Sequence, residues 1–176
     1  MKTLSTVLVA LIVVMMAAVA ASAQSPFEMT ARVGWDAYPE EEYFHLYEID
    51  GRVGLEPYFT WGGGWSLGPA LVASAGVLHA GGEDSLIVGV GPRLELKFPD
   101  DRLTAFATFR PGVMTRHEFG EEDLGGVFIV SLDVGIHYAI GGRLILGYVY
   151  QHSSNAGIYD ENPGVNFHSL QLGWRF

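Results

Sequence analysis

The stretch that decides the fold is LIVGVGPRLELKF, residues 86–98. From Val88 onward the large apolar side chains occupy even-numbered positions, while Arg93, Glu95 and Lys97 occupy odd-numbered ones. Successive side chains of a β-strand point to opposite faces, so this strand has one apolar face and one small or charged face. The pattern predicts a strand that separates apolar surroundings from a polar interior.

Seven other segments repeat this alternation and are separated by glycine, proline and acidic residues. Segments of about ten alternating residues between turns are typical of transmembrane strands. After Ala23 no apolar run approaches the ~20 residues of a spanning helix. The sequence therefore predicts an all-β fold, an eight-stranded antiparallel up-and-down transmembrane β-barrel. The seven segments are Phe27–Asp36, Phe44–Trp61, Trp65–Leu78, Leu103–Met114, Val127–Tyr138, Arg143–His152 and Asn166–Phe176.

The predicted connections alternate strictly between short and long, as expected when one barrel end faces the periplasm and the other the outside. An even strand number closes the sheet, and eight strands leave an interior that side chains fill, so a channel is disfavoured. The short turns are Gly62–Gly64, Pro99–Asp101 and Ile140–Gly142; the longer ones are Ala37–Tyr43, His79–Ser85, Thr115–Gly126 and Ser153–Val165. The aromatic residues that fit interfacial girdles are Trp35, Trp61, Trp65, Phe98, Trp174 and Phe176.

The first 23 residues have the three parts of a secretory signal peptide: Lys2, an apolar run over residues 8–20 and a small-residue site ending at Ala23. We expect cleavage after Ala23 and a mature barrel of residues 24–176 in the bacterial outer membrane. The chain has no cysteine, so core or membrane packing must hold it together. The net charge of −10 argues against binding to nucleic acid, which requires a basic surface.

The densest polar cluster, QHSSNAG at residues 151–157, follows the seventh predicted strand at the outer end of the barrel. Counting alternate positions places His152 and Ser154 on the lipid-facing side, and counting back from the C-terminus places Asn166 there as well. Histidine is the usual base for a nucleophilic serine, and residues two apart on a strand can touch. The turn after Ser154 and the Asn162 amide offer N–H groups for an oxyanion.

Two explanations of this cluster remain open from spacing alone. One is the start of a solvated loop, which is the more frequent origin of a lone His-x-Ser pair. The other is a hydrolase site on the outside of the barrel. Polar side chains facing lipid are costly unless they hydrogen-bond to one another or serve a function, so the second explanation requires a connected cluster.

Residues 150–157 (YQHSSNAG), with Asn162-Pro163-Gly164 and a last strand ending in Arg175-Phe176, resemble the lipid A 3-O-deacylases, also described as acyloxyacyl-hydrolase-like outer-membrane proteins. Before residue 150 the chain is similar only as an eight-stranded barrel. The resemblance implies an esterase that removes the 3-O-linked acyl chain from lipid A of lipopolysaccharide, without a cofactor. The terminal Gly-Trp-Arg-Phe, residues 173–176, resembles the C-terminal signal that outer-membrane barrels present to their assembly machinery. The oligomeric state stays open, with a homodimer as one alternative.

The resemblance implies roles for five residues of the cluster. His152 would act as the general base and Ser154 as the nucleophile. The oxyanion would lie among Asn155, Ala156 and Asn162. The reaction would be the hydrolysis of a carboxylic ester by a serine and a histidine, at the depth of lipid A in the outer leaflet.

Position 166 departs from the family pattern, because the family has a glutamate where this chain has Asn166. An amide can hold the His152 ring by a hydrogen bond, but it cannot stabilise an imidazolium by charge. In a serine protease the change from acid to amide lowers turnover by about 10⁴. Asp160 or Glu161 could supply a carboxylate from the loop. The alternative function is a non-catalytic small outer-membrane barrel, structural or adhesive, with a decayed site.

The remaining histidines are scattered and lack a metal-ligand spacing with carboxylates, so we expect no metal centre. The acidic stretches Glu40–Glu42, Glu83–Asp84 and Glu121–Asp123 would lie in outer loops, where solvated charge is the usual explanation. The functional alternative for these carboxylates is binding of the divalent cations that bridge lipopolysaccharide phosphates.

Overall fold

The computed structural model describes residues 27–56 and 59–176, and the predicted signal segment 1–23 lies outside them. Within the described ranges, no helix is long and apolar enough to cross a membrane. The strands are β1 (Phe27–Asp36), β2 (His45–Gly54), β3 (Phe59–Trp61), β4 (Trp65–Ala80), β5 (Glu83–Lys97), β6 (Leu103–Met114), β7 (Glu118–Phe119), β8 (Glu122–Asp123), β9 (Phe128–Ile140), β10 (Leu144–Ser154) and β11 (Val165–Arg175).

Eight long antiparallel strands form one closed sheet. Each pairs with the next long strand along the chain, and β1 pairs with β11 from Glu28↔Arg175 to Asp36↔Phe167. Among residues 27–56 and 59–176, closure leaves no long edge strand, as lipid surroundings require. The short β3 extends the sheet beside β4, and β7 with β8 forms a separate hairpin. The predicted all-β, eight-stranded up-and-down barrel is therefore confirmed.

The second predicted segment, Phe44–Trp61, differs from the structure. It is two strands, because β2 ends at Gly54 and β3 begins at Phe59. Pro57 and Tyr58 lie outside the described residues. A proline has no N–H to donate to a strand ladder, which is why a continuous strand through this point is disfavoured.

The predicted loop His79–Ser85 is instead the tip of a hairpin between β4 and β5. Gly81 and Gly82 form a two-residue turn with φ of 56° and 76°, a backbone conformation that glycine adopts without strain. His79 and Asp84 are cross-strand partners, with Nδ1 2.7 Å from Oδ1. The polar residues that suggested a loop therefore lie on paired strands.

Paired charges fill the interior of the described barrel. Arg52 Nε donates to Glu95 Oε1 at 2.8 Å, and Arg110 Nη1 lies 3.1 Å from Asp50 Oδ1. Buried charges are tolerated when opposite charges and hydrogen bonds compensate them. The buried acidic and arginine residues on the inward faces of the described strands are Glu28, Arg32, Asp36, Glu48, Asp50, Arg52, Arg93, Glu95, Arg110 and Asp133.

Apolar side chains cover the outer wall, as the alternation predicts. On β5 the apolar side chains of Leu86, Val90 and Leu94 are exposed. Arg93 and Glu95, on either side of Leu94 in the sequence, are buried. A continuous apolar surface of this kind is suited to lipid.

Aromatic rings gather at the end of the barrel that carries the short turns. The Trp61 and Trp65 rings stack with centroids 6.2 Å apart, and the Trp65 and Phe98 rings are 4.5 Å apart. These contacts agree with the predicted girdle. Trp35 lies at the opposite end, with its ring 6.2 Å from that of His168.

An apolar cluster closes the outer end of the lumen and supports the loops there. Phe119, at the end of β7, is fully buried and packs edge-on against Phe44 with ring centroids 5.2 Å apart. Leu124 belongs to the same cluster. The loop of residues 115–127 is therefore anchored in the barrel mouth, and it provides a base for the neighbouring loop of residues 155–164.

Candidate active site

The polar residues of β10 and β11 lie on the outward face of the barrel. His152 and Ser154 are half-buried on that face, whereas the intervening Ser153 and the preceding Gln151 are buried inside. In the register between the two strands, His152 is the direct partner of Asn166. The structure therefore brings the three predicted residues to the same face.

His152 is held by Asn166 across the two strands. The Nδ1 atom of His152 lies 3.0 Å from Asn166 Oδ1. An amide oxygen only accepts hydrogen bonds, so this bond requires a proton on Nδ1, and the neutral ring then has its lone pair on Nε2. Asn166 thus sets the tautomer that a general base requires.

Ser154 ends β10, and its Oγ accepts a hydrogen bond from Ala156 N–H at 3.4 Å. Among the described residues no hydrogen bond joins Ser154 to His152. Catalytic hydrogen bonds are often long or poorly aligned before substrate binds, so the shared face is the informative observation. The two side chains are two residues apart on one strand, within reach of each other by rotation about their side-chain bonds.

Asn155 connects the two outer loops. Its Nδ2 donates to the carbonyl oxygens of Leu124 at 3.1 Å and of Glu161, and its Oδ1 accepts the N–H of Gly157 at 2.9 Å. Its own N–H donates to Asn162 Oδ1 at 3.0 Å. Asn155 is therefore fully engaged in shaping the turn, and its N–H is not open to an oxyanion in this arrangement.

The other two predicted oxyanion donors are Ala156 N–H, which donates to Ser154 Oγ itself, and the Asn162 amide. Ala156 has φ of 56°, an unusual value for a residue with a Cβ, and its N–H lies beside Ser154 Oγ. Such backbone conformations are often held in place at functional sites. Asn162 is exposed, and within the described part of the chain its Nδ2 has no hydrogen-bond partner.

The loop carboxylates do not replace Asn166 in this arrangement. Asp160 and Glu161 are both exposed, and neither forms a hydrogen bond or ion pair with His152 among the residues that the structure describes. Glu161 contributes its backbone carbonyl to Asn155 instead.

Tyr150 is a member of the cluster for which the sequence predicts no role in the site. Its hydroxyl donates to Asn166 Oδ1 at 3.0 Å. The signal that could have found it is the alternation itself, because Tyr150 and His152 share a face of β10. Further along that face, Tyr148 hydrogen-bonds His168.

One group in the described chain has metal-ligand character. His117, Glu118 and Asp123 place ligand atoms within 4.8 Å of one another in the loop of residues 115–127. His117 Nδ1 lies 2.6 Å from Asp123 Oδ1, and this hydrogen bond lowers the pKa of Asp123. This hydrogen bond is sufficient to explain why His117 and Asp123 lie close together. That the protein has no metal centre remains a prediction.

The chain is similar to known proteins in sequence profile and in fold. A family model described as lipid A 3-O-deacylase (PagL) matches residues 47–175. The crystal structure of the outer membrane enzyme PagL aligns with a TM-score of 0.69 at 18% identity, covering 83% of this chain and 97% of that one.

Two other solved barrels are less similar. The N-terminal β-barrel domain of Pseudomonas aeruginosa OprF gives a TM-score of 0.53 at 16% identity, covering 87% of this chain and 98% of that one. A de novo designed transmembrane β-barrel gives a TM-score of 0.53 at 10% identity, covering 86% of this chain and 96% of that one. No curated protein sequence matches the chain. These structural likenesses establish the fold, and the family model covers most of the chain. The chain therefore belongs to the lipid A 3-O-deacylase (PagL) family, and it is a β-barrel of the outer membrane.

Proposed function

We propose that this protein hydrolyses the ester that holds the 3-O-linked acyl chain on lipid A, at the lipid-facing wall between β10 and β11. The observation that carries the proposal is the His152 Nδ1–Asn166 Oδ1 hydrogen bond of 3.0 Å, on the same outward face as Ser154. Family membership supplies the substrate class. The outward position suits a substrate that remains in the membrane.

In the first step Ser154 Oγ attacks the ester carbonyl carbon while His152 Nε2 takes the hydroxyl proton. The carbonyl oxygen becomes an oxyanion, for which Ala156 N–H and Asn162 Nδ2 are the available donors. The ester C–O bond then breaks, and the imidazolium gives its proton to the sugar oxygen. The sugar leaves with a free 3-hydroxyl, and the acyl chain remains on Ser154.

In the second step water attacks the acyl-enzyme. His152 Nε2 takes a proton from the water as its oxygen bonds to the carbonyl carbon. The bond to Ser154 Oγ breaks, and that oxygen recovers the proton from His152. The products are a free fatty acid and the original serine, so water is the sole co-substrate.

Asn166 supports this cycle less well than a carboxylate would. It holds the ring and the tautomer of His152, as its hydrogen bond requires. It carries no charge, however, so the imidazolium that forms in each step is stabilised only by the amide dipole. We therefore propose a slow esterase.

The test is the mass of lipid A from a bacterial host that expresses the full chain in its outer membrane. We expect the loss of one acyl chain from the 3-position, and we expect Ser154→Ala to abolish the loss. Ser153→Ala is the matched control, because it changes the adjacent serine on the inward face. Unchanged lipid A in the presence of a well-expressed, folded barrel would refute the proposal.

A non-catalytic outer-membrane barrel, structural or adhesive, is the second candidate. The observations that favour it are the amide at position 166 and the lack of a His152–Ser154 hydrogen bond among the described residues. The lipid A measurement separates the two candidates, since only the esterase makes a product that depends on Ser154.

A further inference from the structure

The side-chain oxygen of Asn166 accepts two hydrogen bonds. Tyr150 OH and His152 Nδ1 both lie 3.0 Å from Asn166 Oδ1. Tyr150 and His152 are two residues apart on β10, so their side chains approach Asn166 from the same outward face. Within the described chain, the Tyr150 hydroxyl has no other hydrogen-bond partner.

The two ends of an amide have opposite effects on a histidine. If the Asn166 oxygen faces His152, the ring proton stays on Nδ1 and Nε2 can accept the proton of Ser154. If the amide turns over, its NH₂ group donates to Nδ1 and the proton moves to Nε2, where it blocks base catalysis. A glutamate has two equivalent oxygens, so either orientation of its carboxylate accepts a hydrogen bond from His152 Nδ1.

Tyr150 distinguishes the two amide orientations. When the Asn166 oxygen faces Tyr150 and His152, the Tyr150 hydroxyl donates its hydrogen to Oδ1 and so has a hydrogen-bond acceptor. With the amide turned over, the phenol would have to accept from Nδ2, and its own hydrogen would lack an acceptor. On a wall that faces lipid, an unsatisfied donor is costly.

We propose that Tyr150 is a positioning residue, which fixes the orientation of the Asn166 amide and through it the catalytic tautomer of His152. The catalytic value of this role rests on the proposed esterase function. The role of Tyr150 explains how a family site can use asparagine at position 166. Among the described residues the Tyr150 hydroxyl forms no hydrogen bond with Ser154, so its role acts through Asn166.

The first test measures the tautomer directly and needs no activity. Imidazole ¹⁵N chemical shifts are recorded for the folded protein in detergent micelles, with His152 identified by the signal that His152→Gln removes. We expect the Nδ1–H tautomer in the unmodified protein and a larger Nε2–H fraction in Tyr150→Phe. Tyr148→Phe is the matched control, since that hydroxyl contacts His168 instead. Identical His152 tautomers in Tyr150→Phe and the unmodified protein would overturn the proposal.

The second test is a double-mutant cycle on kcat for ester hydrolysis. Tyr150→Phe should lower kcat about tenfold with little change in KM, the effect of one lost hydrogen bond. In the Asn166→Glu background the same change should cost less than about twofold, because a carboxylate needs no orientation. Equal losses in both backgrounds would overturn the proposal. If no variant hydrolyses lipid A, the esterase function fails, while the tautomer measurement still decides the role of Tyr150.

Discussion

Gly164 lies against the ring of His152. A Cβ atom added to Gly164 would be 2.8 Å from His152 Cε1, closer than side chains tolerate. Gly164 is the last loop residue before β11, and the added Cβ would also lie 3.5 Å from His152 Nε2 and from Ser153 O. Gly164 therefore sets the space in which the His152 ring can lie.

We expect Gly164→Ala to lower kcat about 10- to 100-fold, because the added methyl group displaces the His152 ring from the position in which it hydrogen-bonds Asn166. Stability should change by less than about 0.5 kcal/mol, since the ring is the mobile end of a side chain. The measurements are ester hydrolysis and thermal unfolding in micelles. Gly62→Ala is the matched control, because a Cβ there meets no atom within 4 Å. Full activity in Gly164→Ala would contradict the placement of the ring.

Asn166→Glu should raise kcat by at least about tenfold, because a carboxylate stabilises the imidazolium that an amide cannot. Asn166→Leu is the matched control and should abolish activity, since it removes the hydrogen bond to His152. The check is the initial rate of acyl release at equal amounts of folded protein. A slower Asn166→Glu enzyme would show that the site is adapted to the amide.

Asn155→Ala should loosen the outer loop of residues 155–164. The substitution removes the side-chain bonds to Leu124, Glu161 and Gly157, and each bond stabilises by about 1 kcal/mol. We expect faster proteolysis within this loop and a loss of activity, with the barrel itself intact on electrophoresis without heating. Unchanged loop cleavage would mean that the loops are held together by other contacts.

Arg110→Met should destabilise the barrel by about 3–5 kcal/mol, because it removes one of the two buried arginines that pair with Glu48 and Asp50 and leaves Arg32 to compensate both carboxylates. Arg102→Met removes an exposed arginine paired with Asp100 and should cost less than about 1 kcal/mol. Urea unfolding in micelles measures both. Equal effects of the two substitutions would show that the interior charges are solvated.

The faces of the site residues could be predicted from the sequence because a strand has a period of two. Once Leu146 and Tyr148 are assigned to the outer wall, the positions of His152 and Ser154 follow without coordinates. The hairpin at Gly81–Gly82 could not be found this way. Its polar flanks look like a loop, although they are cross-strand partners.

The roles within the oxyanion turn also depend on contacts that the sequence does not display. The sequence predicts Asn155 only as part of the oxyanion turn, and the structure adds that its buried side-chain amide binds carbonyls of two loops. The sequence predicts no role for the Tyr150 hydroxyl, which the structure places 3.0 Å from Asn166 Oδ1. Both assignments require knowing which residues of different strands and loops are neighbours, and alternation gives only the face.

The sequence by itself determined the barrel, the lipid-facing wall and the side on which His152, Ser154 and Asn166 lie. These features are local, because apolar residues occupy every second position of a strand, on the side that faces lipid. Only the tertiary structure decided that Asn166 pairs with His152, that Tyr150 joins them and that Asn155 ties the loops together. Those contacts depend on the register of β10 with β11 and on loops folded over the barrel mouth, where single hydrogen bonds select the partners.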